Sequence, residues 1–257
     1  MDSIGDRMKS NYENRQRFYL IRRTPVIIRI DGKCFHSFTK KMRMKKPFDE
    51  TLRYNMIDAT HKLMSEMSGA KCAYLQSDEV SILMTDYDTL NTSAWFDYNS
   101  QKIVSVSASI FTSAFNYSVL YNKATSEIDH GGTFSGFIPD HPNHTKQAFF
   151  DCRAFNIPRE EVCNYFIWRQ QDWIRNSLQM LARSNFSHKE LFGKSNSIID
   201  QMLCNKGIKW NDCANWERNG TFILNNRVMD LCPIFTKNRE IIEKLIVERE
   251  DEQDIQL

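Results

Sequence analysis

The sequence predicts an α+β fold whose first half is a split βαβ unit of a ferredoxin-like antiparallel sheet, with helices on one face. Three observations predict it. The run Pro25-Val-Ile-Ile-Arg-Ile-Asp31 is short, β-branched and ended by Gly32, so it reads as a buried strand. Asp49 then opens a helix in which Leu52, Met56, Thr60, Leu63 and Met67 share one stripe, and Gly69 stops it. Two further apolar runs, Cys72–Gln76 and Val80–Met84, flank a tight Ser77-Asp78-Glu79 turn. Parallel strands joined by a crossover helix end on the same sheet edge. A third strand inserted between them completes the unit.

The other elements follow in order. Residues from Gly32 to Pro47 read as a basic loop. Residues 101–120 fit either an alternating strand or a helical stripe of Ile103, Val106, Ile110 and Ala114, and twenty residues without a breaker favour helix. Residues 125–147, with paired Gly, two Pro and three His, read as a loop. Phe149–Phe155 reads as a strand. Pro158 starts a helix whose Glu160 and Glu161 suit its positive end, and it runs to about Arg183. The remainder mixes short helices with a strand at Thr221–Leu224. Residues 1–135 would carry the first half of the catalytic core and 136–257 its remainder with a C-terminal helical and mixed extension, the two forming one continuous unit.

Composition excludes several classes. No stretch approaches the ~18 consecutive apolar residues of a membrane span, and the first 25 residues are too polar for a signal peptide. The seven Cys are odd in number and form no CxxC, which fits reduced thiols in a cytoplasmic protein. Gly is scarce, at nine, and no GxGxxG exists. Gly193-Lys194-Ser195 lacks the earlier Gly of a phosphate loop, and His141 and His144 lack the Glu of a zinc helix. The net charge of +2 hides segregation: residues 1–53 carry +8 and residues 240–257 carry −5. The run Lys40, Lys41, Arg43, Lys45, Lys46 interleaves with Phe35, His36, Phe38 and Phe48, a pattern suited to phosphate-rich partners or to a solvated face.

Asp31 ends the first strand, and Asp78 with Glu79 forms the turn ending the second, so the topology brings them to one edge. Clustered carboxylates repel and favour a cation. Mg²⁺ prefers such oxygen ligands around a triphosphate, and two ions can activate an attacking oxygen and stabilise a leaving group. Spacing alone fits equally a strand-end Asx turn beside an ordinary polar turn.

Here the motifs become familiar. Arg29-Ile-Asp-Gly-Lys-Cys-Phe-His36, Lys46-Pro47-Phe-Asp49 and Gln76-Ser-Asp-Glu79 occur in order and at family-like spacing. With Phe150-Asp-Cys-Arg153, Tyr165-Phe-Ile-Trp-Arg-Gln170 and Ser187-His-Lys-Glu-Leu, the chain resembles the tRNA-histidine guanylyltransferase-like family over roughly residues 10–225. The resemblance implies a polymerase-type palm that adds nucleotides to the 5′ end of tRNA in the 3′-to-5′ direction. The 5′-monophosphate is activated with ATP or GTP, and the 3′-hydroxyl of an incoming nucleotide attacks the activated end. By resemblance Asp31 and Asp78, with the Gly32 carbonyl, would hold two Mg²⁺, and Glu79 would support them. Lys33, Cys34, Phe35 and His36 would cradle a triphosphate, with Ser77 beside it, and Lys46 and Asp49 would lie by the base or ribose. Arg29, Lys102, Arg153 and Asn176 are weaker candidates for a second triphosphate or the tRNA 5′ end.

One departure matters. Eukaryotic members carry His-Ile-Asn-Asn where this chain has Trp173-Ile-Arg-Asn176. The chain therefore looks more like the bacterial, archaeal and viral-type branch, which repairs 5′-truncated tRNA, than like enzymes adding one guanosine to histidine tRNA. The resemblance also implies a homotetramer built as a dimer of dimers. Trp95, Phe96, Trp168 and Trp173 fit either its interfaces or the core.

Overall fold

The computed structural model describes residues 3–129 and 147–247. The His-rich stretch within 130–146, including His141 and His144, and the end of the acidic tail lie outside the described residues. A short N-terminal helix, α1 (Ile4–Met8), precedes the core. The core then runs β1 (Val26–Gly32), α2 (Phe35–Lys41), α3 (Glu50–Glu66), β2 (Ala70–Gln76), β3 (Glu79–Met84), α4 (Ser100–Asp129), β4 (Phe150–Asn156) and α5 (Arg159–Asn185). The extension adds α6 (His188–Leu191), α7 (Asn196–Asn205), α8 (Asn215–Asn219), β5 (Thr221–Leu224), β6 (Arg227–Val228) and α9 (Glu240–Glu243).

The strands form one sheet in the order β4-β1-β3-β2-β5-β6, each neighbour antiparallel. β3 lies between β1 and β2, as the split βαβ reading requires. Strand alternation divides the side chains between two faces. Val26, Ile28 and Ile30 of β1 join Val80 and Ile82 of β3 in a core closed by Met56 and Leu63 of α3 and by Ile103, Phe111 and Phe115 of α4. The two palm helices thus share one face. The opposite face carries Ile27, Tyr74, Leu83 and Phe222, covered by Val162, Tyr165 and Phe166 of α5 and by Phe235. Beyond the sheet, Leu181 and Ala182 of α5 pack on Ile199 and Leu203 of α7.

One expectation needs correction. The basic stretch after Gly32 is not all loop: α2 forms because Phe35 and Phe38, three residues apart, are buried and pack edge-on against Phe115. Two of the four candidate interface aromatics are interior: Trp95 and Trp173 are buried, while Phe96 and Trp168 are exposed. The ambiguous segment 101–120 is helix throughout. A 23-residue window of α4 is apolar enough to cross a membrane, with mean hydropathy 1.4. Its Ile103, Phe111 and Phe115 instead belong to the core beneath β1 and β4, so it reads as a core helix.

Candidate active site

The site forms where β1 ends and the β2–β3 hairpin turns. The hairpin is as tight as it can be, since Gln76 pairs with Glu79 across Ser77 and Asp78. Ser77 adopts a left-handed φ of 50°, which for a residue with a side chain costs roughly 1–2 kcal/mol. The Gly32 amide donates to the Asp78 carbonyl at 3.1 Å. A Cβ at Gly32 would stand 2.7 Å from Asp78 Oδ2 and would collide with the Phe35 ring. Only glycine lets the carboxylate and this backbone close on each other. Lys33 donates its amide to the Phe149 carbonyl at 2.8 Å, and Cys34 turns the chain into α2 with φ 51°. Lys33, Cys34 and His36 are exposed and Phe35 is buried.

The register places Asp31 opposite Glu79 on β3 and opposite Asp151 on β4. Asp31 is raised above the usual carboxylate range by burial and by the neighbouring Asp151, against the pull of Arg29 and Arg169. Asp78 is raised by burial and by Asp31, while the Ser77 hydroxyl opposes this. Glu79 is raised by burial despite a two-pronged pair with Arg169, whose Nε and a terminal nitrogen donate at 2.7 and 2.8 Å. The ion-pair chain runs on through Asp172 to Arg175.

A cavity of about 360 Å³ opens beside this turn. Phe35, His36, Lys46, Asp49, Ser77 and Asp78 all line it. The Asp49 carboxylate also caps α3, accepting from Leu52 N at 2.8 Å and from Lys45 N at 2.7 Å. Its far wall is aromatic: Phe48 meets Trp173 and Trp216 edge-on at 6.3 and 6.1 Å. Arg53 lies over Trp216 at 5.2 Å and donates to Thr221 at 2.9 Å.

The weaker candidates separate. Arg29 and Arg153 stand side by side across β1 and β4, on the same face as Asp31. Arg153 is half exposed and pairs with Asp151 at 3.4 Å, and the buried Arg29 Nε has no hydrogen-bond partner among the described residues. Asn176 sits on α5 beside Asp172. Lys102 lies in the first turn of α4, by Phe96. That turn follows Asn99, which bridges to Tyr19 near the β1 end marked by Val26, Met84 and Asn156. Within one chain this is the sheet edge opposite the carboxylates.

Sequence reading missed Arg53, Asp151, Arg169 and Trp216. Asp151 and Arg169 lie inside the motifs Phe150–Arg153 and Tyr165–Gln170, and Arg169 also falls on the buried stripe Val162, Phe166, Trp173 of α5, where an unpaired cation would be costly.

For a divalent cation the donors fit in kind. Asp31, Asp78 and the Gly32 carbonyl are hard oxygens, and the raised carboxylates lack a full complement of positive charge. Among the described residues no three acid, His or Cys side chains are preassembled into a metal cage. That agrees with Mg²⁺, which usually takes one or two carboxylates and completes its shell with water and substrate phosphates.

Comparison with known proteins places this geometry. A family model described as tRNAHis guanylyltransferase matches residues 5–158. A bacterial tRNA(His) guanylyltransferase (Thg1)-like protein in complex with ATP superimposes with TM-score 0.81 at 43% identity, covering 95% of this chain and 99% of that one. A GTP complex of such a bacterial protein matches with TM-score 0.72 at 40% identity, over 95% and 99%. The tRNA(His) guanylyltransferase of Candida glabrata is 28% identical over 84% of this chain and 91% of its own. With the paired strands, the acid-bearing turn and the adjoining cavity, these matches mean that the chain belongs to the tRNA(His) guanylyltransferase family of nucleotidyltransferases.

Proposed function

We propose that the protein extends the 5′ end of tRNA in the 3′-to-5′ direction, copying the opposite strand to repair 5′-truncated molecules, with ATP and GTP as substrates. The observation that carries this is the meeting of Asp31-Gly32 and Ser77-Asp78 beside a cavity lined by His36, Lys46 and Asp49. The likeness to bacterial proteins bound to ATP and to GTP supports nucleotides in that cavity. Trp173-Ile-Arg-Asn176, in place of His-Ile-Asn-Asn, supports repair over histidine-tRNA addition.

In this reading Asp31, Asp78 and the Gly32 carbonyl would hold Mg²⁺. When bound, the metal supplies charge stabilisation of the phosphoryl oxygens and of the leaving pyrophosphate. The chain's own residues do the rest. The Lys33–His36 backbone and the exposed His36 ring approach the phosphates. Lys46 offers a point charge beside them. Arg169 fixes the Glu79 carboxylate through two hydrogen bonds, so that it faces Asp31 in one orientation. Arg29 and Arg153, adjacent on the less covered part of the same face, suit a second polyphosphate or the tRNA 5′ end.

A second reading is favoured by the fungal relatives, which are named for guanosine transfer to histidine tRNA: addition of a single G at the 5′ end. A radiolabelled 5′-end assay separates the two, using truncated and intact tRNAs with Mg²⁺, ATP and each of the four nucleotides. Templated addition to a truncated non-histidine tRNA is expected. A lone G on intact histidine tRNA would favour the second reading, and no addition to any tRNA would overturn both.

A further inference from the structure

The sheet edge opposite the carboxylates carries features that the reaction does not use. Residues 4–16 form a helical arm, and every one of them is exposed. Ile4, Met8 and Tyr12 fall four residues apart along it, and Tyr12 is 64% exposed. A helix this short is marginal in water unless one face is packed, so the arm calls for a partner. Phe18, Tyr19 and Ile21 follow, also exposed. They run beside the turn that precedes α4: the Leu20 amide donates to the Tyr98 carbonyl and the Ser100 amide to the Phe18 carbonyl, each at 2.9 Å. That turn is strained. Phe96, Asp97 and Tyr98 have φ of 51°, 49° and 57°, three left-handed residues in succession where side-chain-bearing residues tolerate single ones. Such strain persists where the surroundings enforce it, and it gathers at functional positions. Here it holds the exposed Phe96 ring against the buried Trp95 ring at 4.5 Å.

The charge of this edge selects the class of partner. Beyond Asp6, the stretch to Arg23 holds Arg7, Lys9, Arg15, Arg17, Arg22 and Arg23 against Glu13 alone, a net of +5. Glu13 answers Arg17, and the buried Asp86 answers Arg22. Arg7, Lys9 and Arg15 are exposed along the arm, with Tyr12 among them. A symmetric contact with a second copy would set like patches against each other, and these would repel. A polyanion with flat bases neutralises the cations and stacks on the rings. We infer that this edge is a second RNA-binding surface, which holds tRNA away from its reacting 5′ end. The cations of the arm meet backbone phosphates, and Tyr12, Phe18 and Phe96 offer ring faces to unpaired bases. β1 spans seven residues between the two edges, roughly 20 Å, so the contact falls well beyond the terminal nucleotide. The chain thereby grips the tRNA body independently of the nucleotide being added.

The inference rests on tRNA as the substrate, and the test keeps the two apart. Fluorescence anisotropy follows a 3′-labelled tRNA transcript lacking its 5′ nucleotide as the full chain binds it over a range of salt. Wild type is compared with a triple variant, Arg7→Gln with Lys9→Gln and Arg15→Gln, and with a double variant, Tyr12→Ser with Phe18→Ser. Loss of three phosphate contacts should lower the slope of log affinity against log salt by about 2–3 and weaken binding about tenfold or more near physiological salt. Loss of two stacking rings should weaken it about fivefold or more. ATP binding, at the other edge, should be unchanged in both. Wild-type tRNA affinity in either variant would overturn the inference. So would a loss of affinity that accompanies a smaller oligomer in sedimentation, because the arm would then be joining copies of the chain. A wild-type protein that binds ATP but no tRNA would refute the proposed function and this inference together. If a variant does not fold, hydrogen exchange of wild type decides: the amides of residues 4–16 must slow when tRNA is added, and unchanged exchange overturns the inference.

Discussion

The most direct test of the site's construction is to break the Arg169–Glu79 pair. Its side chains are 8% and 12% exposed, and the guanidinium donates twice to one carboxylate. Arg169→Met keeps an unbranched apolar stem over the Trp168 ring, which Arg169 covers at 4.5 Å. It leaves Glu79 buried without its cation, and Asp31 opposite it. Removing one partner of a buried pair costs about 3–5 kcal/mol. For a chain of this length, about 2–4 °C per kcal/mol converts that to a melting point roughly 6–20 °C lower. The pH dependence gives a second signature. Arg169 is the largest influence lowering Glu79, whose carboxyl is already raised by burial. Without it the folded carboxyl moves further above its unfolded value. The native state then holds a proton that the unfolded state has released, so stability falls as pH rises through that window. The deficit should be largest near pH 8 and shrink towards about pH 5, as protonation relieves it. Urea melts across this range measure it, and Arg169→Met with Glu79→Leu should recover most of the loss. A cost below about 1 kcal/mol, as for a surface pair, or one independent of pH, would refute the reasoning.

Three other substitutions probe the turn and the cavity beside it. Asp78→Asn should abolish nucleotide addition and remove the thermal stabilisation by Mg²⁺, which at a hundred times Kd amounts to about 2.7 kcal/mol; undiminished addition would sink the ligand assignment. Gly32→Ala drives a methyl against Asp78 and Phe35, so ATP affinity should fall and stability drop by about 1–3 kcal/mol; wild-type values for both would contradict the close approach. Asp49→Ala removes the α3 cap and the Lys45 contact, at a cost of about 1 kcal/mol or more in a thermal melt. ATP binding should weaken with it, and a stable variant with full affinity would show that the cap does not shape the cavity.

What was legible in the sequence was local. β1, α3 and the β2–β3 hairpin announce themselves by β-branched runs, a helical stripe and glycine punctuation, and they suffice to bring Asp31 and Asp78 together. The same local cues found β5, whose Thr221–Leu224 pairs on β2. α2 escaped because Lys40 and Lys41 mask the Phe35–Phe38 pair, whose partners Phe115 and Phe150 lie far along the chain. The partners of residues supplied by tertiary crossings were beyond pattern reading. Asp151 meets Asp31 only through the β4 register, and Arg169 reaches Glu79 only because α5 crosses the second face. Lys102 illustrates the converse: the family resemblance made it a weaker candidate for the second triphosphate or the tRNA 5′ end, and within one chain it lies at the other edge.

The register makes one more consequence necessary. Three carboxylates, Glu79, Asp31 and Asp151, stand in line across three adjacent strands, with Asp78 in the turn beside them. Arg169 answers one of them directly, and Arg153 answers Asp151 from a half-exposed position where solvent weakens the pair. Asp31 and Asp78 are left raised, which means that the fold disfavours their charged forms. A raised carboxyl contributes stability while protonated, and that contribution is lost as pH rises from its unfolded value through its folded one. Above that window the apo protein carries the repulsion in full. A divalent cation binding the ionised pair should therefore stabilise the protein more at about pH 8 than at about pH 5, where protons compete for the same oxygens. Melting curves with and without Mg²⁺ at the two pH values measure this. Asp78→Asn should flatten the difference, because it removes a proposed ligand and a charge together. If Mg²⁺ stabilised wild type equally at both pH values, the strand-end acids would not be its ligands, and their crowding would need another explanation.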